Sequence, residues 1–411
     1  MKRLFKNIKG LLQTLGPEAL FLKGSKMGEL AQINDAFLYV EADTILAYGP
    51  MADCPKMEFD QVIDAKGRFV LPTWCDSHTH TVFAATREKE FEMRIAGKTY
   101  QEIAAAGGGI LNSAKHLQNT SFDLLYQSAY ERVHTLMRLG TGALEIKSGY
   151  GLNLEAEIKM LRVIEKLKKE IDIPIQSTFL AAHALPEAFK TDSEGFVRQI
   201  CQEWIPTVAG QKLATFLDVF CEKNYFTVAQ TEQMVQTGQS FGLRAKLHVN
   251  QFNALGGVAM AVANNAVTVD HLEQLTAADL EALATGNTMA VALPNCSFFL
   301  GLPYTPAREL LASGIPLALA SDYNPGSAPS GNMNLVVALA CIKMKMTPEE
   351  AINAATINGA YAMGLSDKVG SITVGKKANL ILTKPLASYA LLPYAFGENL
   401  IDSIFINGNK I

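Results

Sequence analysis

The sequence predicts an α/β protein: a (β/α)8 TIM barrel carrying a small β-sandwich domain composed of both chain termini. Three observations predict it. Short apolar runs recur with helix-length segments between them, each run ends on a polar group suited to chemistry, and the two ends of the chain are β-rich. The last polar residues of the runs are His80, Lys147, His183, Glu222, His248, His271, Asn295 and Asp322, at successive spacings of 67, 36, 39, 26, 23, 24 and 27 residues. A barrel unit needs about 30 residues, and catalytic groups crown the C-terminal ends of barrel strands. The competing open sheet needs a phosphate loop at its first turn. GYGLNLE lacks the third glycine and AAAGGGILNS lacks both a preceding strand and the right spacing.

Taken in order, the start MKRLFKNIKGLLQTLGPEAL has basic residues but neither an uninterrupted apolar core nor a small-residue cleavage site, so it is not read as a signal peptide. NDAFLYVEADTILAYGP follows as two β-rich runs joined by a polar turn. VGSITVGKKANLILTK and SIFINGNKI near the other end read the same way. Residues 1–67 and 369–411 are therefore assigned to the sandwich and 68–368 to the barrel. The first barrel run, FVLPTWCDSHTH, ends on His78 and His80. Strand residues two apart project to one side about 7 Å apart, close enough for both imidazoles to grip one cation. A bare His-x-His fits two hydrogen-bonded histidines equally well. The weight comes from His183, His248 and His271, which each close an apolar run, and from Asp322 in PLALASDYNPG, which supplies a carboxylate.

Between the runs, LEAEIKMLRVIEKLKKE sets Leu154, Ile158, Leu161, Ile164 and Leu167 on one helical face. The segment FAATREKEFEMRIAGKTYQEIAAAGGGILNSAKH exceeds what one crossover requires and reads as a lid or substrate loop. Hydrophobic residues make up 49% of the chain and charged residues 18%, enough for one large core. A net charge of -4 without a basic cluster argues against nucleic acid as a partner. No run of about 18 apolar residues is present to cross a membrane. The six cysteines form no Cys-x-x-Cys and read as reduced thiols of a cytoplasmic protein.

The order His-x-His, His, His, His, Asp on such a barrel resembles the amidohydrolase superfamily. The strings DSHTHTVFAATREKEFEMRIAGKTYQEIAAAGGGI, EIKSGYGL, TFLAAHALP, DVFCE, KLHVNQF, DHLE, and LPNCSFFLG through SDYNPGSAP resemble the imidazolonepropionases of histidine degradation in particular. The resemblance runs from about residue 76 to 332, and the tail from 333 to 376 is also similar. It implies hydrolysis of 4-imidazolone-5-propanoate to N-formimidoyl-L-glutamate.

Three imidazoles and one carboxylate, from His78, His80, His248 and Asp322, suit one Zn(II) or Fe ion per chain and leave room for water. Such an ion lowers the pKa of bound water from 15.7 toward about 7, so the implied nucleophile is activated water. No Gly-x-Ser-x-Gly elbow appears and Cys221 has no activating neighbour in sequence. A bridged pair of ions would need a strand-end lysine; the candidate, Lys147, precedes a substrate-loop-like motif, so one ion is preferred. His271 is the expected proton carrier, with Asp322 sharing the task. The resemblance implies that Arg87 anchors the substrate carboxylate. It places Tyr150 and His183 at the ring and propionate, and Asn324, Gly326 and Ser327 in the loop after the eighth strand. A homodimer is the expected assembly.

Four positions depart from the family pattern. Gln251 stands where a glutamate three residues after the metal histidine is frequent; an amide cannot act as general base, so Gln251 is assigned to orienting the ring. Ser327 replaces a familiar threonine, and Asn250 and Asn379 replace aspartates. Two other function classes stay in view: a purine or pyrimidine deaminase, against which Gln251 weighs, and a non-catalytic metal-binding barrel, against which the full ligand set weighs.

Overall fold

The computed structural model describes residues 1–98, 102 and 108–411. The N-terminal end contributes β1 (Lys2–Leu12), β2 (Gln32–Glu41), β3 (Thr44–Pro50), β4 (Gln61–Asp64) and β5 (Phe69–Pro72). The middle gives β6 (Trp74–Asp76), β7 (Thr141–Lys147), β8 (Ile175–Ala182), β9 (Phe216–Cys221), β10 (Arg244–Val249), β11 (Thr268–His271), β12 (Met289–Ala292) and β13 (Leu317–Leu319). The C-terminal end adds β14 (Leu380–Thr383), β15 (Ile401–Ile406) and β16 (Asn409–Lys410).

Strands β6 to β13 pair in parallel in chain order, as a (β/α)8 barrel requires. Both faces of each are covered, so β7 and β9 are buried along their whole length, their mostly apolar residues interrupted by Glu145, Lys147 and Asp218. The barrel closes beyond the ends of its first and last strands. Thr79 bridges Tyr323 in parallel, the His80 N–H donates to the Tyr323 carbonyl at 2.8 Å, and the Asp322 N–H donates to the His78 carbonyl at 3.0 Å.

That seam corrects part of the sequence reading. His78 and His80 lie past the end of β6, so their shared direction comes from this closure and not from a regular strand. Asn295 does not end a strand either: it sits in the first turn of the helix Pro294–Leu300, where proline has no amide hydrogen to lose. The helix Leu154–Glu170 forms as expected, with the Asn153 side chain accepting from the Ala156 N–H. Such a cap contributes about 1 kcal/mol. Leu161, Ile164 and Leu167 are buried, while Leu154 and Ile158 are half-buried at its edge.

The terminal strands assemble in the order β16-β15-β14-β5-β1-β2-β3, with β4 also on β1. This composite β-sandwich has its own core of Phe5, Ile8, Leu11, Leu38, Val70, Leu382 and Phe405. β1 was the strand hardest to read. A register shift between Phe5 and Ile8, with Asn7 at φ 56°, breaks the two-residue alternation that would have marked it. β5 pairs with both β1 and β14, and only Thr73 separates it from β6, so the sandwich is welded to the first barrel strand. All six cysteines are free. Among the described residues no helix is long and apolar enough to cross a membrane. The lid expectation rests in part on residues 99–101 and 103–107, which lie outside the described residues; the helices Glu88–Ile95 and Ile110–Asn119 flank them.

Candidate active site

At the C-terminal mouth of the barrel the chain turns sharply. Asn250, His271, Leu272 and Asp322, after or at the ends of β10, β11 and β13, all have positive φ, at 57°, 88°, 66° and 53°. Each such residue costs on the order of 1–3 kcal/mol and persists where the surroundings dictate it. Two of these residues, His271 and Asp322, line one cavity, while Leu272 turns into the core and Asn250 reaches Asp279.

His78 Nε2 and His80 Nε2 both stand 3.5 Å from Asp322 Oδ1. Ligand atoms about 2.1 Å from one tetrahedral ion lie roughly 3.4 Å apart. His248 joins through His78, their ring centroids 4.5 Å apart, and nitrogens of His78, His248 and His271 all lie within 4.8 Å of one another. His78 Nε2 is buried without a hydrogen-bond partner among the described residues. A buried orphan nitrogen facing a carboxylate and two more imidazoles fits a cation. Burial holds His78, His80 and His248 well below the usual imidazole range, so all three are neutral, the form that binds metal. The residues present therefore fit a metal ion.

Carboxylates stand behind these rings, Asp270 hydrogen-bonded to His78 and Asp218 in close approach to His248. Asp270 Oδ2 is 2.6 Å from His78 Nδ1, and Asp218 Oδ2 is 2.8 Å from His248 Nδ1, which leaves each Nε2 for the centre. Lys147 joins the two acids: its Nζ is 2.9 Å from Asp218, 2.9 Å from Glu145 and 3.8 Å from Asp270, all with fully buried side chains. Burial alone would lower the Lys147 pKa, but the three carboxylates outweigh it and hold the group cationic. Lys147 is thus an ammonium under the site. Lys246, also buried, donates to the Ser77 carbonyl at 2.7 Å and the Ala362 carbonyl at 3.3 Å.

A cavity of about 550 Å³ opens above, and all the other expected substrate residues line it: Arg87, Tyr150, His183, Gln251, Asn324, Gly326 and Ser327. His183 stacks on His80 with ring centroids 5.2 Å apart, and its Nδ1 is 3.1 Å from the Gly149 carbonyl. Burial lowers the His183 pKa to about 4. Asn324 builds the far wall: its Oδ1 accepts the Gly326 and Ser327 N–H groups, each at 2.8 Å. A side chain at 326 would collide with the Arg87 guanidinium, so glycine lets that group approach. Arg87 is itself clamped by Glu90, Nε to Oε1 at 2.8 Å and Nη2 to Oε2 at 2.5 Å, and Glu90 also accepts the Gly109 N–H. Two of the family departures acquire structural partners. Asn250 donates to Asp279 at 3.0 Å; Asn379 donates to the Gly142 carbonyl at 3.0 Å and accepts the Asn407 N–H at 2.8 Å, tying sandwich to barrel.

The sequence reading missed Asp218, Asp270, Glu273 and Cys296. The first two had a signal, a carboxylate inside an otherwise apolar strand in FLDVFC and TVDH, since a buried charge needs a partner. Glu222, a strand-end acid that does not line this cavity, instead accepts the Phe252 and Asn253 N–H groups and shapes the loop after β10.

An imidazole and carboxylate cluster at the mouth of a (β/α)8 barrel is a candidate metal site, and residues 221–411 match the amidohydrolase family model, a family of hydrolases. Among solved structures the chain superposes on Escherichia coli guanine deaminase with a TM-score of 0.74 at 11% identity, covering 100% of this chain and 99% of that one. It superposes on a zinc-bound adenosine deaminase from Xanthomonas campestris with a TM-score of 0.68 at 18% identity, covering 99% and 92%. It is 57% identical to the imidazolonepropionase of Flavobacterium johnsoniae over 411 residues, all of both chains. The chain belongs to the imidazolonepropionase family.

Proposed function

We propose that this chain hydrolyses 4-imidazolone-5-propanoate to N-formimidoyl-L-glutamate. Full-length similarity to an imidazolonepropionase supports the reaction. The single structural observation that carries it is the cavity. It is lined both by the imidazole and carboxylate groups of His80, His248 and Asp322 and by Arg87, a cation suited to an acidic substrate side chain. His78, His80, His248 and Asp322 would hold the metal, one zinc or iron ion per chain. When bound, that ion supplies a Lewis acid for the ring carbonyl and acidifies water.

The chain's own residues do the rest. Arg87 binds the propionate, a charge-assisted contact of roughly 1.5–3 kcal/mol. Tyr150 and His183 flank the ring, Asn324, Gly326 and Ser327 close the opposite side, and Gln251 orients the ring through its amide. His271 accepts the proton of the attacking water, with Asp322 able to share it. The oxygen bonds to the ring carbonyl carbon, the carbonyl carbon–nitrogen bond breaks, and the proton passes to the departing ring nitrogen, giving the formimidoyl group. Burial lowers the His271 pKa, but Glu273, Asp322 and Asp270 more than offset it, so the net shift is upward. A proton carrier needs such a position.

We also propose a cytoplasmic homodimer acting on this small molecule without nucleic acid or membrane, and the division into a terminal unit (1–67, 369–411) and a barrel unit (68–368), with β5 (Phe69–Pro72) at the join paired into the terminal sheet. The deciding assay is loss of imidazolonepropionate ultraviolet absorbance, beside guanine and cytosine. Turnover of imidazolonepropionate alone is expected. Release of ammonia from guanine or cytosine in its place would assign a deaminase, and no turnover by metal-loaded protein would leave a binding barrel.

A further inference from the structure

We propose that Glu273 is a positioning residue for this reaction: it holds the His271 ring in the tautomer that donates its Nδ1 hydrogen to Glu273 and presents Nε2 to the cavity. The inference rests on the proton-carrier role given to His271 above.

Two consecutive left-handed residues, His271 and Leu272, reverse the chain at the end of β11. In a regular strand, residue 273 would project about 7 Å along from residue 271. Here the reversal returns the Glu273 carboxylate to the ring, with Oε1 3.2 Å from His271 Nδ1. Three bonds fix the reversal. Thr305 Oγ1 donates to the His271 carbonyl at 2.6 Å, the Leu272 N–H to the Val249 carbonyl at 3.3 Å, and the Gln274 N–H to the Asn250 carbonyl at 2.9 Å. The two ring nitrogens of an imidazole point apart, so Nε2 is turned away from Glu273, and His271 lines the cavity.

A merely structural acid would be better satisfied. The Glu273 side chain is fully buried; beyond the ring, Ser297 Oγ donates to Oε1 at 3.3 Å, and Oε2 has no hydrogen-bond partner among the described residues. A buried carboxylate with one oxygen unpartnered is costly, and its closest ring partner is His271. The neighbouring position cannot take that part. Gln251 does not ionise and spends its Nε2 on Cys296 Sγ at 3.4 Å. The other titratable groups around the pair are Asp270, Asp322, His78, His248 and Cys296. Three of these are assigned to the metal, and Asp270 is engaged by His78. Burial keeps Cys296 a neutral thiol. That leaves Glu273 as the carboxylate behind the proton carrier.

The test is a double-mutant cycle on metal-loaded enzyme, with metal content measured for each variant. Glu273→Ala is expected to lower kcat about 10 to 100-fold, with KM and metal content unchanged. Glu273→Gln keeps the volume and an acceptor oxygen and is expected to recover most of that loss. The double variant His271→Ala with Glu273→Ala is expected to be no slower than His271→Ala alone, because Glu273 acts through the ring. Nitrogen-15 histidine spectra of the zinc-loaded protein should show His271 protonated at Nδ1, and a mixture in Glu273→Ala. A kcat within twofold of the parent in Glu273→Ala, additive losses in the double variant, a Glu273→Gln as slow as Glu273→Ala, or a parent ring protonated at Nε2 would each overturn the inference. If His271→Ala itself turns over normally with metal bound, the reading beneath it fails instead, and the two failures are distinguished.

Discussion

The two cores of this molecule are equally buried and chemically opposite. The terminal sandwich buries hydrocarbon: Phe5 and Phe405 meet edge to face at 4.9 Å among Ile8, Leu11, Val70 and Leu382. The barrel buries Glu145, Lys147, Asp218, Lys246 and Asp270 at 0% exposure beneath a ring of histidines. Apolar burial of the first kind contributes about 25 cal/mol per Å². Burial of the second kind costs desolvation that mutual pairing does little more than offset. The sandwich therefore stabilises the fold, and the barrel interior spends stability on holding His78 and His248 in one orientation.

Substitutions can break or sharpen that contrast. The largest effect belongs to His248→Ala, expected to lose both bound metal and at least about 10³-fold in kcat, since the metal contributes several kcal/mol. Retention of full activity by protein shown metal-free after chelation would contradict it. Next come two changes of similar energetic size and different consequence. Phe405→Ala should destabilise by about 3–5 kcal/mol and leave kcat, KM and metal content alone. Lys147→Met should destabilise by about 3–5 kcal/mol by leaving buried carboxylates unpaired, and should in addition weaken metal retention. Denaturant titration beside elemental analysis separates them, and equal metal loss in both would erase the distinction drawn here.

Smaller effects test the cavity wall. Arg87→Ala should raise KM about 10 to 100-fold with metal content unchanged, and an unaltered KM would leave Arg87 as Glu90's partner only. Gln251→Glu is the mildest: turnover should survive, with a shifted KM and one added ionisation in the pH–rate profile. A large gain in kcat from that single change would mean that position 251, and not His271, is where this reaction handles its proton.

Much of this was legible without coordinates, and the reason is periodic. Parallel strands covered on both faces are mostly apolar, so the polar groups that follow them stand out, and their recurrence announced the fold even though Asn295 falls in a helix. The N-terminal strand was concealed because its bulge at Asn7 disrupts the alternation on which recognition depends. Gln251 was visible as a residue that cannot ionise, yet nothing in DHLE marked Glu273 as more than a surface acid.

Local chemistry along the chain determined which groups are present: the imidazoles and carboxylate at the barrel mouth, the cavity cation Arg87 and the amide of Gln251. Only the tertiary structure decided how they act together. The two histidines share a target because β6 and β13 close beyond their ends, Asp218 and Asp270 reach their rings from separate strands, and Glu273 meets His271 through a left-handed reversal. Such contacts depend on dihedral angles and strand register, and an amino-acid string specifies these only through the packing of the whole.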